Sequence, residues 1–126
     1  MSMVKRVLVV DDNPVSRELI REVLDSPDLK ILEAADGGEA LRVISDETPD
    51  LVLLDLQLPV LSGYDVLRRV KENPSLNGIL VFAFTAFAMG EDRQKALAAG
   101  FDGYVTKPIN AADLRKQIES LLYRER

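Results

Sequence analysis

The sequence predicts a single α/β domain, a doubly wound and mostly parallel five-stranded sheet with helices on both faces. Three observations lead there. Short β-like runs alternate with helix-periodic segments five times along the 126 residues. Most of these runs are apolar throughout, as strands covered on both faces must be. The connections are short, and no linker, repeat or low-complexity stretch interrupts them. A closed eight-fold barrel would need about twice this length. With 47% hydrophobic and 29% charged residues the chain can fill one core and keep a polar surface, so residues 1–126 are read as one domain.

The first strand is Val7 to Val10, ended by Asp11, Asp12 and Asn13. Pro14 suits the first position of a helix, Asn13 can cap it, and Val15, Leu19, Ile20, Val23 and Leu24 form its apolar face. Leu29 to Ala35 is a weaker second strand. Asp36 with Glu39 three residues on resembles a capping box and opens a helix carrying Ala40, Leu41 and Ile44, ending near Glu47. Leu51 to Leu54 is the third strand and runs straight into Asp55; Pro59 and Gly63 mark the loop beyond it. A helix over about Tyr64 to Glu72 closes at Asn73 and Pro74, and Ile79 to Phe84 forms a fourth strand ending at Thr85. Glu91 to Ala99 is a helix with a thin apolar face, terminated by Gly100 in the left-handed conformation. Phe101 to Val105 is the fifth strand. After Lys107 and Pro108, Asn110 caps a last helix with Leu114, Ile118, Leu121 and Leu122 at helical spacing.

Composition removes several classes of function. A net charge of −5 without a basic stripe argues against direct nucleic-acid binding, which clustered Lys and Arg drive through counterion release. There is no Cys and no His, so thiol nucleophiles, disulfides, imidazole bases and Cys- or His-ligated metal sites are all excluded. The most apolar run, Ile79 to Met89, is far shorter than the roughly 20 residues of a spanning helix, and no signal-peptide core of ordinary form follows Met1 to Arg6. A cytoplasmic location away from membranes is the expectation.

In an open parallel sheet, ligands bind beyond the carboxyl ends of the strands, where strand order reverses. Those ends carry Asp11 and Asp12 on strand 1, Asp55 on strand 3, Thr85 on strand 4 and Lys107 on strand 5. Taken singly each has an ordinary reading: solvated turn residues before a helix, a strand end before a proline turn, a good β-former, a surface lysine. Three carboxylates, a hydroxyl and one ammonium at matching strand ends make a set that those readings do not explain together.

The set resembles response-regulator receiver domains of two-component signalling, the CheY-like and DivK-like group. The resemblance runs over essentially the whole chain, through Val9-Val10-Asp11-Asp12-Asn13, Leu54-Asp55-Leu56-Gln57-Leu58-Pro59 with Gly63, Phe84-Thr85-Ala86 and Tyr104-Val105-Thr106-Lys107-Pro108. By analogy the sheet takes the flavodoxin-like order 2-1-3-4-5, with its crevice between strands 1 and 3. The resemblance implies that Asp55 accepts a phosphoryl group from a phosphohistidine of a histidine kinase or histidine phosphotransfer protein. It implies that Asp11, Asp12, Asp55 and the Gln57 backbone carbonyl hold Mg²⁺ and that Lys107 contacts the phosphoryl group. It also implies that Thr85 donates its hydroxyl to that group, that Tyr104 repacks in concert as the other half of a switch, and that the Lys107–Pro108 peptide is cis. A downstream protein is expected on the surface of helix 4, strand 5 and helix 5.

The charges support these roles. Three carboxylates in one crevice repel, which favours proton uptake or a cation with oxygen ligands, and Mg²⁺ with Lys107 brings the site close to neutral. An aspartate can then attack in line, with positioning carrying the catalysis. Some positions depart from the common family pattern. Leu58 replaces a frequent Met at similar volume. Ser62 stands where Asp is common and reads as loop variation. Gln57 and Phe87 lie two residues beyond Asp55 and Thr85, positions that the resemblance implies flank the phosphoryl group and govern the entry of hydrolytic water; Phe87 reads equally as a helix-entry packing residue. A haloacid-dehalogenase-like phosphatase, which also uses an Asp nucleophile with Mg²⁺, fits less well because it places Asp-x-Asp after the first strand and this chain has adjacent Asp11-Asp12. A degenerate docking module would have lost the acceptor, the acidic pair or the lysine, and none is lost. The expectation is a phosphoacceptor that assists its own phosphorylation without independent substrate turnover, either stand-alone or excised from a larger regulator or hybrid kinase.

Overall fold

The computed structural model describes residues 4–86, 90–107 and 110–122, with side chains described at all of these except 90, 91, 121 and 122. Five strands and five helices alternate: β1 (Lys5–Val10), α1 (Pro14–Val23), β2 (Leu29–Ala34), α2 (Gly37–Glu47), β3 (Leu51–Asp55), α3 (Gly63–Lys71), β4 (Leu80–Thr85), α4 (Gly90–Ala99), β5 (Gly103–Thr106) and α5 (Ala111–Leu122). A short 3₁₀ turn, Pro74–Leu76, precedes β4 and was not foreseen from the sequence. The strands are all parallel in the order β2-β1-β3-β4-β5, as expected.

The apolar runs bury both faces of the sheet because successive side chains point to opposite sides. Leu8, Val10, Val52, Leu54, Val81 and Ala83 face one way and pack with Ala40 and Ile44 of α2, Val66, Leu67 and Val70 of α3, and Ala96 of α4. Val7, Val9, Leu51, Leu53, Phe82 and Phe84 face the other way, against Ile20 and Leu24 and against Leu114 and Ile118 of α5. This division is the doubly wound architecture expressed residue by residue. The face expected of α1 is narrower than its sequence suggested: Ile20 and Leu24 are buried, whereas Val15 and Leu19 are exposed. Val15 and Leu24 are separated by about two and a half turns, so the sheet can cover only one of them.

The caps explain the helix boundaries. Asn13 accepts the Val15 N–H at the start of α1, and Asp36 accepts the Glu39 N–H at the start of α2. The Glu39 carboxylate returns to the Ala35 N–H rather than to Asp36 itself. Ser62 corrects the loop-variation reading, because it is the N-cap of α3. Its hydroxyl accepts the Asp65 N–H while the Asp65 carboxylate accepts the Ser62 N–H, a reciprocal capping box that starts the helix at Gly63 rather than Tyr64. At the end of α4, Gly100 takes φ 114° and donates to Leu97 O, and Phe101 donates to Ala96 O, the Schellman pattern. Phe101 is thereby used up in the cap, so β5 begins at Gly103 rather than Phe101. Asn110 accepts the Asp113 N–H ahead of α5. The expected contributions of Phe87 and of the Lys107–Pro108 peptide geometry lie outside the described residues, and those of the Leu121 and Leu122 side chains lie outside the described side chains.

Because Ser62 satisfies an otherwise orphaned donor, Ser62→Ala should destabilise the domain by about 1 kcal/mol. Urea unfolding checks this; an unchanged midpoint would show that the capping box contributes nothing.

Candidate functional site

Asp11 and Asp55 end adjacent strands, since β1 and β3 pair with Val10 opposite Leu54. Each carboxylate is oriented by the same local device. Asp11 Oδ1 accepts the Asn13 N–H at 2.9 Å, and Asp55 Oδ1 accepts the Gln57 N–H at 2.9 Å. These Asx-type turns let the chain leave the strand while holding the side chain still. They also leave the second oxygen of each carboxylate available to the crevice, and both turn toward one cation. Lys107 Nζ lies 2.8 Å from Asp11 Oδ2 and 3.0 Å from Asp55 Oδ2. Asp12 completes the group: Asp11, Asp12 and Asp55 each offer a carboxylate oxygen within 4.8 Å of the others.

The burial of these groups differs in a useful way. Asp11 is inaccessible and Asp55 is 4% exposed, whereas Asp12 stands open at the rim. Burial is the largest influence on Asp55 and raises its pKa above the usual carboxylate value; the Gln57 N–H and Lys107 act against that rise, and the Asp11 charge adds to it. For Lys107 burial is again the largest single effect and lowers the pKa, but the hydrogen bonds and charges of Asp11 and Asp55 together outweigh it and raise the pKa above its ordinary value. Lys107 therefore stays an ammonium at neutral pH. Its Nζ also sits 4.8 Å from the centroid of the Phe84 ring, whose face favours a cation.

Thr85 follows Phe84, the register partner of Asp55, and is fully buried at the end of β4. The Lys107 N–H donates to the Thr85 carbonyl at 2.8 Å, so the hydroxyl-bearing and ammonium-bearing residues share one backbone link. Tyr104, paired with Ala83, is buried in the core on the α4 side rather than at the crevice. Burial raises its pKa first, with Asp92 and Tyr64 adding to the rise and Arg93 opposing it. The structure thus gathers Asp11, Asp12, Asp55 and Lys107 at one point, sets Thr85 beside them, and keeps Tyr104 apart in the hydrophobic layer beneath α4. Gln57 is an exposed loop residue whose N–H is committed to Asp55.

The loop after β3 is shaped by two backbone constraints. A Cβ at Gly63 would lie 2.6 Å from the Asp55 carbonyl oxygen and 2.9 Å from Leu56 Cα, so only glycine lets α3 start this close to the acceptor strand. Leu61 N–H donates to Pro59 O around Val60, which is fully exposed with φ 70°, a conformation that costs a β-branched residue strain. Arg17 is a site neighbour that sequence reasoning missed. Its guanidinium donates to the Asp11 carbonyl at 2.7 Å and to Glu33 Oε1 at 3.1 Å. Its placement on the second turn of α1 was legible, but its partner Glu33 belongs to a strand whose neighbour is known only after folding.

Fit to a divalent cation can be judged from the donors themselves. All are hard carboxylate oxygens, and three carboxylates with one ammonium leave the cluster formally two charges negative. That donor set and charge suit Mg²⁺. The raised Asp55 pKa has its own consequence. A carboxyl whose folded-state pKa lies above its unfolded value makes a destabilising contribution that is absent below the unfolded pKa and complete above the folded one. Asp55→Asn should therefore raise the melting midpoint of the metal-free protein at pH 7, with the gain shrinking as pH falls toward 4. Thermal melts in chelator across that range check this, and a loss of stability at pH 7 would contradict it.

The sequence model of the response regulator receiver domain matches residues 7–119. The polar-differentiation response regulator DivK of Brucella ovis is 35% identical over 120 residues, covering 95% of this chain and 98% of that protein. The receiver domain of a sensor histidine kinase from Pseudomonas aeruginosa, solved with a magnesium ion coordinated in its active-site cleft, superposes with a TM-score of 0.85 at 32% identity, covering 95% of this chain and 98% of that one. Vibrio cholerae chemotaxis protein CheY4 superposes with a TM-score of 0.85 at 26% identity, over 94% and 98% of the two chains. With the strand order and the matching sequence in agreement, the chain belongs to the response-regulator receiver domain family of two-component systems.

Proposed function

We propose that the chain accepts a phosphoryl group on Asp55 from a phosphohistidine of a histidine kinase or histidine phosphotransfer protein, in an Mg²⁺-dependent reaction, and signals by the structural change that follows. The observation that carries this reading is the convergence of Asp11 Oδ2 and Asp55 Oδ2 on Lys107 Nζ, with the Asp12 carboxylate alongside. The magnesium-bearing Pseudomonas relative supports it. Asp11, Asp12 and Asp55, with the Gln57 backbone carbonyl, would hold the metal. Bound there, Mg²⁺ supplies positive charge that offsets the carboxylates and the charge spread over the transferred oxygens.

The remaining work falls to the chain. Asp55 attacks phosphorus with a carboxylate oxygen; the new P–O bond forms as the P–N bond to the donor imidazole breaks, and the bonding pair stays with the ring. No proton has to leave the nucleophile, so a site without histidine is sufficient. Lys107 is held as an ammonium beside Asp55 and keeps positive charge where the phosphoryl oxygens arrive. The phosphoryl group ends as part of the chain itself, which makes the protein a phosphoacceptor that assists its own modification rather than a turnover enzyme. No observation favours the haloacid-dehalogenase-like alternative. The setting we assign is cytoplasmic and without direct nucleic-acid contact, in keeping with the net charge of −5. No helix among the described residues is long and apolar enough to cross a membrane.

The switch is read through Thr85 and Tyr104. Phosphorylation adds roughly one negative charge and new acceptor oxygens at Asp55, and Thr85 and Lys107 are read as the groups that answer. Thr85 drawn toward the phosphoryl group vacates space beside β5 into which the Tyr104 ring can turn. The face of α4, β5 and α5 then changes and binds a downstream protein. Tyr104 packs in the same core layer as Ala96, the buried residue of α4 among those described, so its ring can influence that helix.

Asp55→Asn should abolish acid-labile, hydroxylamine-sensitive labelling by a small phosphodonor with Mg²⁺; labelling that survives would overturn the acceptor assignment. Asp12→Ala should weaken Mg²⁺ binding and slow phosphorylation while leaving the fold intact, and an unchanged affinity in titration would remove Asp12 from the metal set. Beryllofluoride with Mg²⁺ should shift amide resonances of Thr85, Tyr104 and α4 as well as those near Asp55. Shifts confined to the Asp55 loop would sink the switch.

A further inference from the structure

Asp12 has an unusual position among the three carboxylates. It is exposed, and among the described residues no hydrogen bond or ion pair holds its side chain, whereas Asp11 and Asp55 are each fixed by a backbone N–H and by Lys107. Something else must set its direction. The peptide unit joining Asp11 to Asp12 is planar, so fixing the Asp11 carbonyl oxygen also fixes the nitrogen of Asp12 and the direction in which its Cα leaves. That carbonyl accepts from the Arg17 guanidinium at 2.7 Å. The same guanidinium is anchored by Glu33 Oε1 at 3.1 Å, and Glu33 Oε2 accepts from Arg21 at 3.1 Å. Arg17 is mostly buried, with 18% of its side chain exposed, and is the better shielded of the two arginines. In the preceding peptide, the Asp11 N–H donates to Ala34 O at 3.1 Å, one residue after Glu33. The end of β1 is thus held by β2 twice, once directly and once through Arg17.

We infer that Arg17, anchored by Glu33, is a positioning residue for the divalent-metal site: it orients the Asp11–Asp12 peptide so that the open Asp12 carboxylate is aimed before a cation arrives. The inference rests on the reading of Asp11, Asp12 and Asp55 as the Mg²⁺ site. Two physical effects of Arg17 on that site have opposite signs. As a nearby positive charge it would repel Mg²⁺, although Glu33, which it shares with Arg21, offsets part of that charge at contact distance. As an anchor it removes the entropy that Asp12 would otherwise lose on binding. Groups that orient metal ligands commonly matter by one to two orders of magnitude in affinity. Arg17 acts through a carbonyl rather than on the ligand atom, which puts it at the lower end, and the anchoring effect prevails.

The opposed signs make the test decisive. Arg17→Met in the full chain should raise the Mg²⁺ dissociation constant, followed by amide chemical shifts in a titration with Mg²⁺ alone, by on the order of tenfold. In the metal-free state the Asp12 and Asn13 amides should shift and broaden. Arg21→Met, which removes an equal charge from the same Glu33 without touching Asp11, should leave the Mg²⁺ affinity at the wild-type value. A merely structural role would lower the melting midpoint of Arg17→Met and move neither readout. Tighter Mg²⁺ binding by Arg17→Met would show that its charge outweighs its anchoring, and unchanged binding would show that it does neither; each overturns the inference while leaving the metal site standing. If wild-type protein shows no saturable Mg²⁺ binding, the site reading falls and takes this inference with it. Should Arg17→Met not fold, Arg17→Gln removes the same charge and cannot span Asp11 and Glu33 together, and the same expected loss of affinity and the same contrary results apply.

Discussion

An ammonium group lodged between two buried carboxylates organises this end of the molecule. Asp11 and Asp55 leave water almost completely on folding, and an unpaired carboxylate in that position would be costly or would take up a proton. Lys107 supplies the compensating charge to both, across 96 residues of sequence in one case and 52 in the other. The two Asx-type turns reinforce this by occupying the other oxygen of each carboxylate. The opposite directions of influence at Asp55 record the balance: burial raises its pKa, and the Gln57 N–H and Lys107 oppose the rise without cancelling it. A site left formally two charges negative, with one carboxylate already lifted toward protonation, has the charge that the proposed divalent cation would offset.

Everything that brings these groups together is backbone architecture. Parallel pairing with β3 between β1 and β4 puts three strand ends in a row, and the apolar runs of these inner strands leave no freedom of register because they are buried on both sides. The connections are then pinned at their exits. Gly63 lets α3 begin against the Asp55 carbonyl, the Ser62 and Asp65 capping box starts that helix, and the strained backbone of this loop falls at Val60, whose side chain is fully exposed to solvent. The rigid part of the site is therefore the acidic crevice and the strands beneath it.

The α4 side is built differently. Of the described α4 side chains only Ala96 is buried, and Leu97 remains exposed. Part of what holds α4 is polar and aromatic: Lys95 lies 5.2 Å from the centroid of the Tyr64 ring, and Tyr64 meets Phe101 edge-on at 5.6 Å. Cation–π and edge-on aromatic contacts are weaker than burial of a full aliphatic face. An element attached this way can shift at modest cost, which is what the switch proposed for this face requires.

Much of this protein was legible in its sequence. Apolar strand runs, the Asn13 and Asp36 caps and the Gly100 terminus are local signals, and they placed each element within a few residues. The acidic pair, Asp55, Thr85 and Lys107 were legible because a parallel sheet puts every carboxyl end on the same rim, so position along each strand already implied proximity. What the sequence could not decide was anything set by pairing across distance. The burial of Ile20 and Leu24 but not Val15 and Leu19 depends on which side of α1 the sheet covers. The departure of Phe101 from β5 depends on a helix cap competing with a strand for the same N–H groups. The division of labour between a shielded Asp11 and an open Asp12, and the hold of Arg17 on the peptide between them, required β2 to be laid beside β1. Local chemistry acts within a turn or two of the chain and can be read from neighbours, whereas burial and charge pairing depend on which distant segments meet, and only the folded structure supplies those partners.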